Sequence, residues 1–155
     1  MDTRSVFFGS NIPHFVEYSR FTVGYAGHDR DSLLALFRAH GITAVADIRT
    51  FKRSSYWTAF DADSFGPFLR ENGIAYVFMG DVMGGKPQIP ELYPDGQLDY
   101  GLMAARPDFK SGIERLVSGA KKYRICLMCA WVVQFIIYGV AVISNHRIKG
   151  CNSFG

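Results

Sequence analysis

The sequence predicts a single α/β domain with a mainly parallel sheet and helices that flank it. Two observations favour this fold class. Short apolar runs alternate with stretches whose apolar residues recur at helical spacing, which is typical of strands that alternate with helices. The chain has 155 residues, the size of one ordinary domain, and folding at that length buries roughly two thirds of the surface of the unfolded chain. Right-handed crossovers and a Rossmann-like arrangement are therefore expected.

The predicted elements follow one another in a regular order. The four predicted strands are residues 21–25, 42–48, 74–79 and 124–130. Aspartate is a favoured N-cap and glycine a favoured helix stop, so the first two helices are expected to begin and end at Asp31 and Gly41, and at Asp61 or Asp63 and Gly73. The segment rich in Gly and Pro after the third strand is expected to be a long loop, and Pro107 opens the last helix.

Composition and charge restrict the classes of function. The formal net charge is +3, but residues 1–130 carry 15 basic against 14 acidic side chains. This balance argues against a broadly basic nucleic-acid binder and leaves only a local cationic cluster. The chain has 3 cysteines and no apolar run typical of a secretory signal near residue 1. A reducing cytoplasm is therefore expected, and the cysteines do not suggest a disulfide framework.

Polar side chains follow the second predicted strand, where the topology predicts a binding site. In open parallel sheets, ligands bind at the carboxyl ends of the strands. Asp47 and Arg49 are two residues apart and point to the same side of the sheet. With Arg53 and Ser54 they can form a site in which the carboxylate orients a guanidinium and the remaining groups grip a phosphate or carboxylate. A buried Asp47–Arg49 pair that only fixes the loop is the alternative.

Aromatic side chains interleave with the cations of this loop. They are Phe51, Tyr56, Trp57 and Phe60. Such a mixture can stack on bases while the cations hold phosphates, and an aromatic flap over the sheet edge explains it equally well. The later run from Gly80 to Lys86 has the spacing of a P-loop, but Pro87 replaces the Ser or Thr and the prolines that follow forbid the required helix.

Five short strings occur in an order that resembles a known family. They are T-V-G-Y-A-G (22–27), D-I-R-T-F-K-R-S (47–54), G-I-A-Y-V-F-M-G (73–80), M-G-G (83–85) and L-M-C-A (127–130). Together they are similar to the uncharacterised bacterial family known as domain of unknown function 488, over residues 21–130. The resemblance implies an α/β domain but no particular reaction.

The resemblance also implies a polar site. The family pattern D-x-R-x-x-P-x-S places Asp47, Arg49, Arg53 and Ser54 in that site, and the cysteine strand adds Cys129. Lys52 stands where the family usually has proline, so the local stiffness of the loop differs. On this basis Asp47 and Cys129 are the candidate catalytic residues, as base and as nucleophile or ligand, and Arg49, Arg53 and Ser54 are the candidate substrate-binding residues. No metal ligand set and no cofactor are indicated.

The chain departs from the family pattern after Ala130. The family usually continues with glutamate and then Cys-His-Arg, whereas this chain continues with Trp131 and an apolar run. Residues 1–20 are interpreted as an N-terminal arm, residues 21–130 as the domain and residues 131–155 as an apolar non-family tail, which indicates a reading-frame change or truncation and an incomplete C-terminus. The uncharged run 125–144 is long enough to span a membrane, but its first six residues match a family strand, which favours a strand.

Three hypotheses for function remain open at this point. The first is an enzyme that acts on a phosphate-bearing small molecule or a nucleic acid. The second is a module that binds the same class of ligand without chemistry, and the third is a truncated or frameshifted product without function. The oligomeric state is not indicated by the sequence.

Overall fold

The computed structural model describes residues 20–129 and the short segment 151–154. The strands are β1 (Arg20–Gly24), β2 (Ala44–Asp47), β3 (Ala75–Phe78), β4 (Ile125–Cys129) and β5 (Cys151–Phe154). The helices are α1 (Arg30–Ala39), α2 (Ala62–Glu71), α3 (Gly80–Met83), α4 (Tyr100–Ala105) and α5 (Pro107–Gly119). Strands and helices alternate as the sequence predicts, with boundaries that differ by one or two residues.

The strands form one sheet in which every pair is parallel. Their order is β3-β2-β4-β1-β5, so β4 lies between the first two strands of the chain. Asp47, at the carboxyl end of β2, lies beside Met128 of β4 and Phe78 of β3. The carboxyl ends therefore meet at one edge, and the predicted single α/β domain is confirmed.

Helices cover both faces of the sheet. On one side of the sheet, which we call the first face, Val45, Cys126 and Met128 pack against α1 and α2. On the other side, which we call the second face, Ala46 and Leu127 pack against α5. Consecutive residues of a strand point to opposite faces, and the central strand β4 is apolar on both, as expected for a strand buried inside a parallel sheet. The result is a three-layer α/β/α domain.

The helix ends follow their local sequence, with one correction. Asp29 is the N-cap of α1, and its carboxylate accepts a hydrogen bond from the Ser32 backbone N–H at 2.7 Å. The predicted cap, Asp31, lies instead in the first turn, where a negative charge still favours the helix. Gly41 and Gly73 have φ of 64° and 77°, a left-handed conformation that glycine adopts readily, so both predicted stops are confirmed.

The predicted long loop between β3 and α5 contains short helices. It includes α3, a 3₁₀ turn at Pro90–Leu92 and α4. Asp99 caps α4 by accepting a hydrogen bond from the Leu102 backbone N–H at 2.9 Å. Met83, Leu92 and Met103 are buried against the second face. These buried apolar residues hold the segment against the sheet, and their irregular spacing is why the sequence does not show a helical pattern here.

The predicted arm at residues 1–20 lies outside the described residues except for Arg20, and the predicted tail lies outside them except for residues 151–154. The backbone of that last segment forms β5 and pairs with β1 from Arg20↔Cys151 to Val23↔Phe154. The start of the apolar run forms β4. Within the part of the chain that is described, no helix combines the length and apolar character needed to cross a membrane.

Candidate functional site

The centre of the site is an ion pair at the carboxyl end of β2. Arg49 Nε donates to Asp47 Oδ1 at 2.8 Å and Nη2 donates to Oδ2 at 2.5 Å, and the Arg49 backbone N–H donates to Oδ1 at 3.1 Å. Asp47 is 0% exposed and Arg49 is 7% exposed. The two-residue spacing on a strand end brings both side chains to the first face, as predicted, and the alternative of a buried Asp47–Arg49 pair is what the structure shows.

Three aromatic residues complete the surroundings of the pair. The Tyr76 hydroxyl donates to Asp47 Oδ2 at 2.6 Å, and Arg49 Nη2 donates to the Phe60 carbonyl at 2.7 Å. The Arg49 guanidinium lies over the Tyr25 ring, 5.0 Å from its centroid. Among the described residues, no hydrogen-bond partner reaches the buried Arg49 Nη1 atom. We call the four side chains of Tyr25, Asp47, Arg49 and Tyr76 the buried network.

The proton affinities in the buried network follow from its contacts. Burial by itself would lower the pKa of the Arg49 guanidinium, but the hydrogen bonds and opposite charge of Asp47 outweigh burial and raise that pKa above its usual range. Burial, reinforced by the negative charge of Asp47, raises the pKa of Tyr76 above its ordinary value. Arg49 therefore stays charged and Tyr76 stays a hydrogen-bond donor at neutral pH.

Ser54 shapes the turn of the loop. Its backbone N–H donates to Asp61 Oδ1 at 2.9 Å, and its hydroxyl accepts from the backbone N–H groups of Tyr56 and Trp57 at 3.3 and 3.1 Å. The Asp61 side chain, predicted as a possible helix cap, thus holds the loop instead, although Asp61 is the N-cap residue of α2 by position. Binding of a ligand by Ser54 stays a prediction.

The cations of the loop differ sharply in their surroundings. Arg53 Nη2 lies 3.1 Å from Asp63 Oδ2, and both side chains are exposed, by 77% and 68%. Lys52 is also exposed, and its ammonium lies 5.1 Å from the centroid of the Phe78 ring. Arg53 and Lys52 can therefore meet a ligand, whereas the Arg49 side chain is almost fully buried.

The aromatic residues of the loop divide into two pairs. Phe60 is buried and Trp57 half-buried, and their rings lie 4.8 and 6.5 Å from the ring of Tyr25. Phe51 and Tyr56 are 56% and 90% exposed. Trp57 and Phe60 thus form the predicted aromatic flap, whereas Phe51 and Tyr56 are exposed, and stacking on bases stays a prediction. We call Phe51, Lys52, Arg53 and Tyr56 the exposed loop surface.

Cys129 lies on the opposite side of the sheet from the buried network. The side chains of Ile125, Leu127 and Cys129 point to the second face, where Cys129 is partly buried against the core. Asp47 and Arg49 lie on the first face. The expectation that Cys129 sits near the arginines is therefore not met, because its position in the strand alternation directs it to the other side. A catalytic role for Asp47 or Cys129 stays a prediction.

Sequence reasoning missed Tyr25, Tyr76 and the Phe60 carbonyl as partners of the ion pair. Tyr76 becomes visible as a partner only once β3 is known to lie beside β2 with Val45 opposite Tyr76. Gly66 of α2 is a second signal that the Tyr76 ring lies under this helix. A Cβ atom at position 66 would lie 2.8 Å from Tyr76 Cδ1, so the close packing requires glycine. In the described part of the chain, no group of three or more His, Cys, Asp or Glu side chains is placed to hold a metal ion.

The comparisons with known proteins agree with the motifs. A search of curated proteins and a search of solved structures each returned no match. The family model described as domain of unknown function DUF488 matches residues 29–134, which covers the loop, both cysteines of β4 and most of the described domain. The matched segment is more than half of the chain, so the chain belongs to the DUF488 family.

Proposed function

We propose that this protein is a binding module for a phosphate-bearing ligand, and that the exposed loop surface is where the ligand binds. The observation that carries the proposal is the exposure of two aromatic rings and two cations within six residues, at the carboxyl edge of a parallel sheet. Phe51 and Tyr56 are 56% and 90% exposed, and Lys52 and Arg53 lie between them. This combination suits a ligand that has both a planar base and a phosphate.

The contacts that hold the loop support a binding role. Arg49 joins the start of the loop to its end by donating to both Asp47 and the Phe60 carbonyl, at 2.8 and 2.7 Å. The Lys52 carbonyl accepts from the Ala62 backbone N–H at 2.8 Å, which fixes the middle of the loop against α2. Because the loop is already ordered, less conformational entropy is lost when a ligand binds.

The same contacts favour binding over catalysis at this site. A general base must reach the proton that it removes, but Asp47 is 0% exposed and its oxygens already accept hydrogen bonds from Arg49 and Tyr76. In this proposal the buried network positions the loop and does not react.

We also propose a cytoplasmic location. Cys126 and Cys129 lie on opposite faces of β4 and cannot form a disulfide with each other, which supports a reducing compartment.

The test measures the binding of two ligands. Calorimetry measures the affinity for a nucleoside monophosphate, and fluorescence anisotropy measures the affinity for a short fluorescent single-stranded oligonucleotide. The double variant Lys52→Gln/Arg53→Gln should weaken binding of the oligonucleotide about tenfold or more at low salt, because two phosphate contacts are lost. Lys110→Gln/Arg115→Gln, which removes one exposed lysine and one exposed arginine of α5, is the control with the same change in charge and should bind as the native chain does. The proposal fails if the native chain binds neither probe, or if the double variant binds both normally.

A further inference from the structure

The segment after β3 is joined to the loop after β2. Lys86 donates its backbone N–H to Thr50 Oγ1 at 2.9 Å, directly beside the exposed loop surface. Gly80 and Gly84 allow this approach, because a Cβ atom would lie 1.5 Å from the Arg49 carbonyl oxygen at Gly80 and 2.6 Å from Thr50 Cα at Gly84. The loop after β2 and the segment after β3 are therefore in direct contact through their backbones.

Lys86 is held by its backbone and leaves its side chain at the surface. Its carbonyl accepts from Gln88 Nε2 at 2.9 Å, in addition to the bond of its N–H to Thr50. The side chain is exposed. Two residues further along the loop from Thr50, the Lys52 ammonium lies over the ring of Phe78, the last residue of β3. Two exposed lysines therefore lie on segments that are in direct contact, one bonded to Thr50 through its backbone and the other two residues from Thr50 in the sequence.

The charges around these lysines make both of them suitable phosphate contacts in addition to Arg53. Within the described residues the exposed ion pair of this region joins Arg53 to Asp63, and neither Lys52 nor Lys86 forms an ion pair there. Between β3 and Lys86 the one acidic residue is Asp81, whose Oδ1 accepts a hydrogen bond from the Val82 backbone N–H at 3.1 Å. A phosphate at Lys52 or Lys86 would therefore not have to displace a carboxylate from either ammonium.

We propose that the ligand is a single-stranded nucleic acid whose backbone crosses from Lys52 to Lys86, with successive phosphates on the two lysines and bases on Phe51 and Tyr56. This inference rests on the proposed function and extends it, since it adds Lys86 as a binding residue and selects a strand over a mononucleotide. A mononucleotide has one phosphate and can occupy only one of the two positions.

The test compares the salt dependence of oligonucleotide binding in the native chain and in Lys86→Gln. Each phosphate contact on a single strand contributes about 0.7 to the slope of log affinity against log salt. Contacts from Lys52, Arg53 and Lys86 together give a slope of about −2, and Lys86→Gln should reduce its magnitude by about 0.7. Lys86→Arg should restore the native slope, and Lys110→Gln should leave it unchanged.

Binding of a nucleoside monophosphate separates this inference from the proposed function. If the native chain binds both probes but Lys86→Gln has the native salt slope for the oligonucleotide, the role of Lys86 is overturned and the loop remains the site. Equal affinity of the native chain for the mononucleotide and the oligonucleotide would overturn the strand as ligand. Absence of binding to both probes would overturn the proposed function itself. The Lys86 backbone makes the bond to Thr50, so the substitution leaves the junction of the two segments intact.

Discussion

The loop after β2 takes part in two arginine–aspartate pairs that differ in almost every physical respect. In the Arg49–Asp47 pair the closest atoms are 2.5 Å apart and the side chains are 6% and 0% exposed, whereas in the Arg53–Asp63 pair they are 3.1 Å apart and 77% and 68% exposed. Two charges removed from water together must be fully paired, since an unpaired buried charge is strongly unfavourable. Two charges that stay in water lose little by separating. The first pair therefore supports the fold and the second remains available to a ligand.

The first prediction, with the largest effect, is that Arg49→Met strongly destabilises the fold. It leaves the buried Asp47 carboxylate without its cation, with Tyr76 as its remaining side-chain donor among the described residues. Loss of one partner of a buried pair lowers the free energy of unfolding by about 3–5 kcal/mol. Urea denaturation measures this loss.

Arg53→Met is the matched control, because it makes the same substitution in the exposed pair. We expect it to change the free energy of unfolding by less than about 1 kcal/mol. Similar losses of stability in Arg49→Met and Arg53→Met would show that burial does not determine how much each ion pair contributes to the stability of the fold.

The second prediction concerns Tyr76→Phe, which removes one hydrogen bond from the Asp47 carboxylate and keeps the ring. A hydrogen bond to a charged group contributes about 1.5–3 kcal/mol, so the loss of stability should be smaller than that of Arg49→Met. Tyr56→Phe is the control, since the Tyr56 side chain is 90% exposed and its change should be negligible. Denaturation in urea at neutral pH compares the two variants.

The stability of Tyr76→Phe should also depend on pH differently from that of the native chain. Burial and the charge of Asp47 raise the pKa of Tyr76 in the folded state, so the folded chain holds this proton more tightly than the unfolded chain. The resulting stabilisation is fully present below the ordinary tyrosine pKa of about 10 and is lost as the pH rises above it. Tyr76→Phe should therefore show a shallower loss of stability between about pH 9 and about pH 11. A steeper loss than in the native chain would contradict the contact with Asp47.

The sequence predicts the fold and part of the buried network because both depend on local periodicity. Asp47 and Arg49 share a side because strand residues two apart face the same way, and the glycines at positions 41 and 73 mark helix ends because they permit positive φ. These features need no knowledge of which strands are neighbours. They were predicted correctly for that reason.

The rest of the site depends on register, which one sequence does not encode locally. Tyr76 reaches Asp47 because β3 is the neighbour of β2. Cys129 is directed away from Asp47 because Asp47 lies opposite Met128, one residue earlier, and a shift of one residue reverses the face. The pairing of Arg53 with Asp63 likewise requires the loop to fold back onto α2.

The last prediction uses the exposed pair to sharpen the difference between fold and binding. Asp63→Asn removes the carboxylate that competes with a phosphate for Arg53, so affinity for a single-stranded oligonucleotide should rise a few-fold at low salt. The free energy of unfolding should fall by less than about 1 kcal/mol, from the lost surface pair and from the lost charge in the first turn of α2. Asp31→Asn, in the first turn of α1, is the control, and its affinity should not rise. Stability and affinity then change in opposite directions in one variant, which a purely structural role of Arg53 does not predict. Unchanged affinity in Asp63→Asn would show instead that Arg53 does not contact the ligand, and reduced affinity would show that Asp63 positions Arg53 for the ligand rather than competing with it.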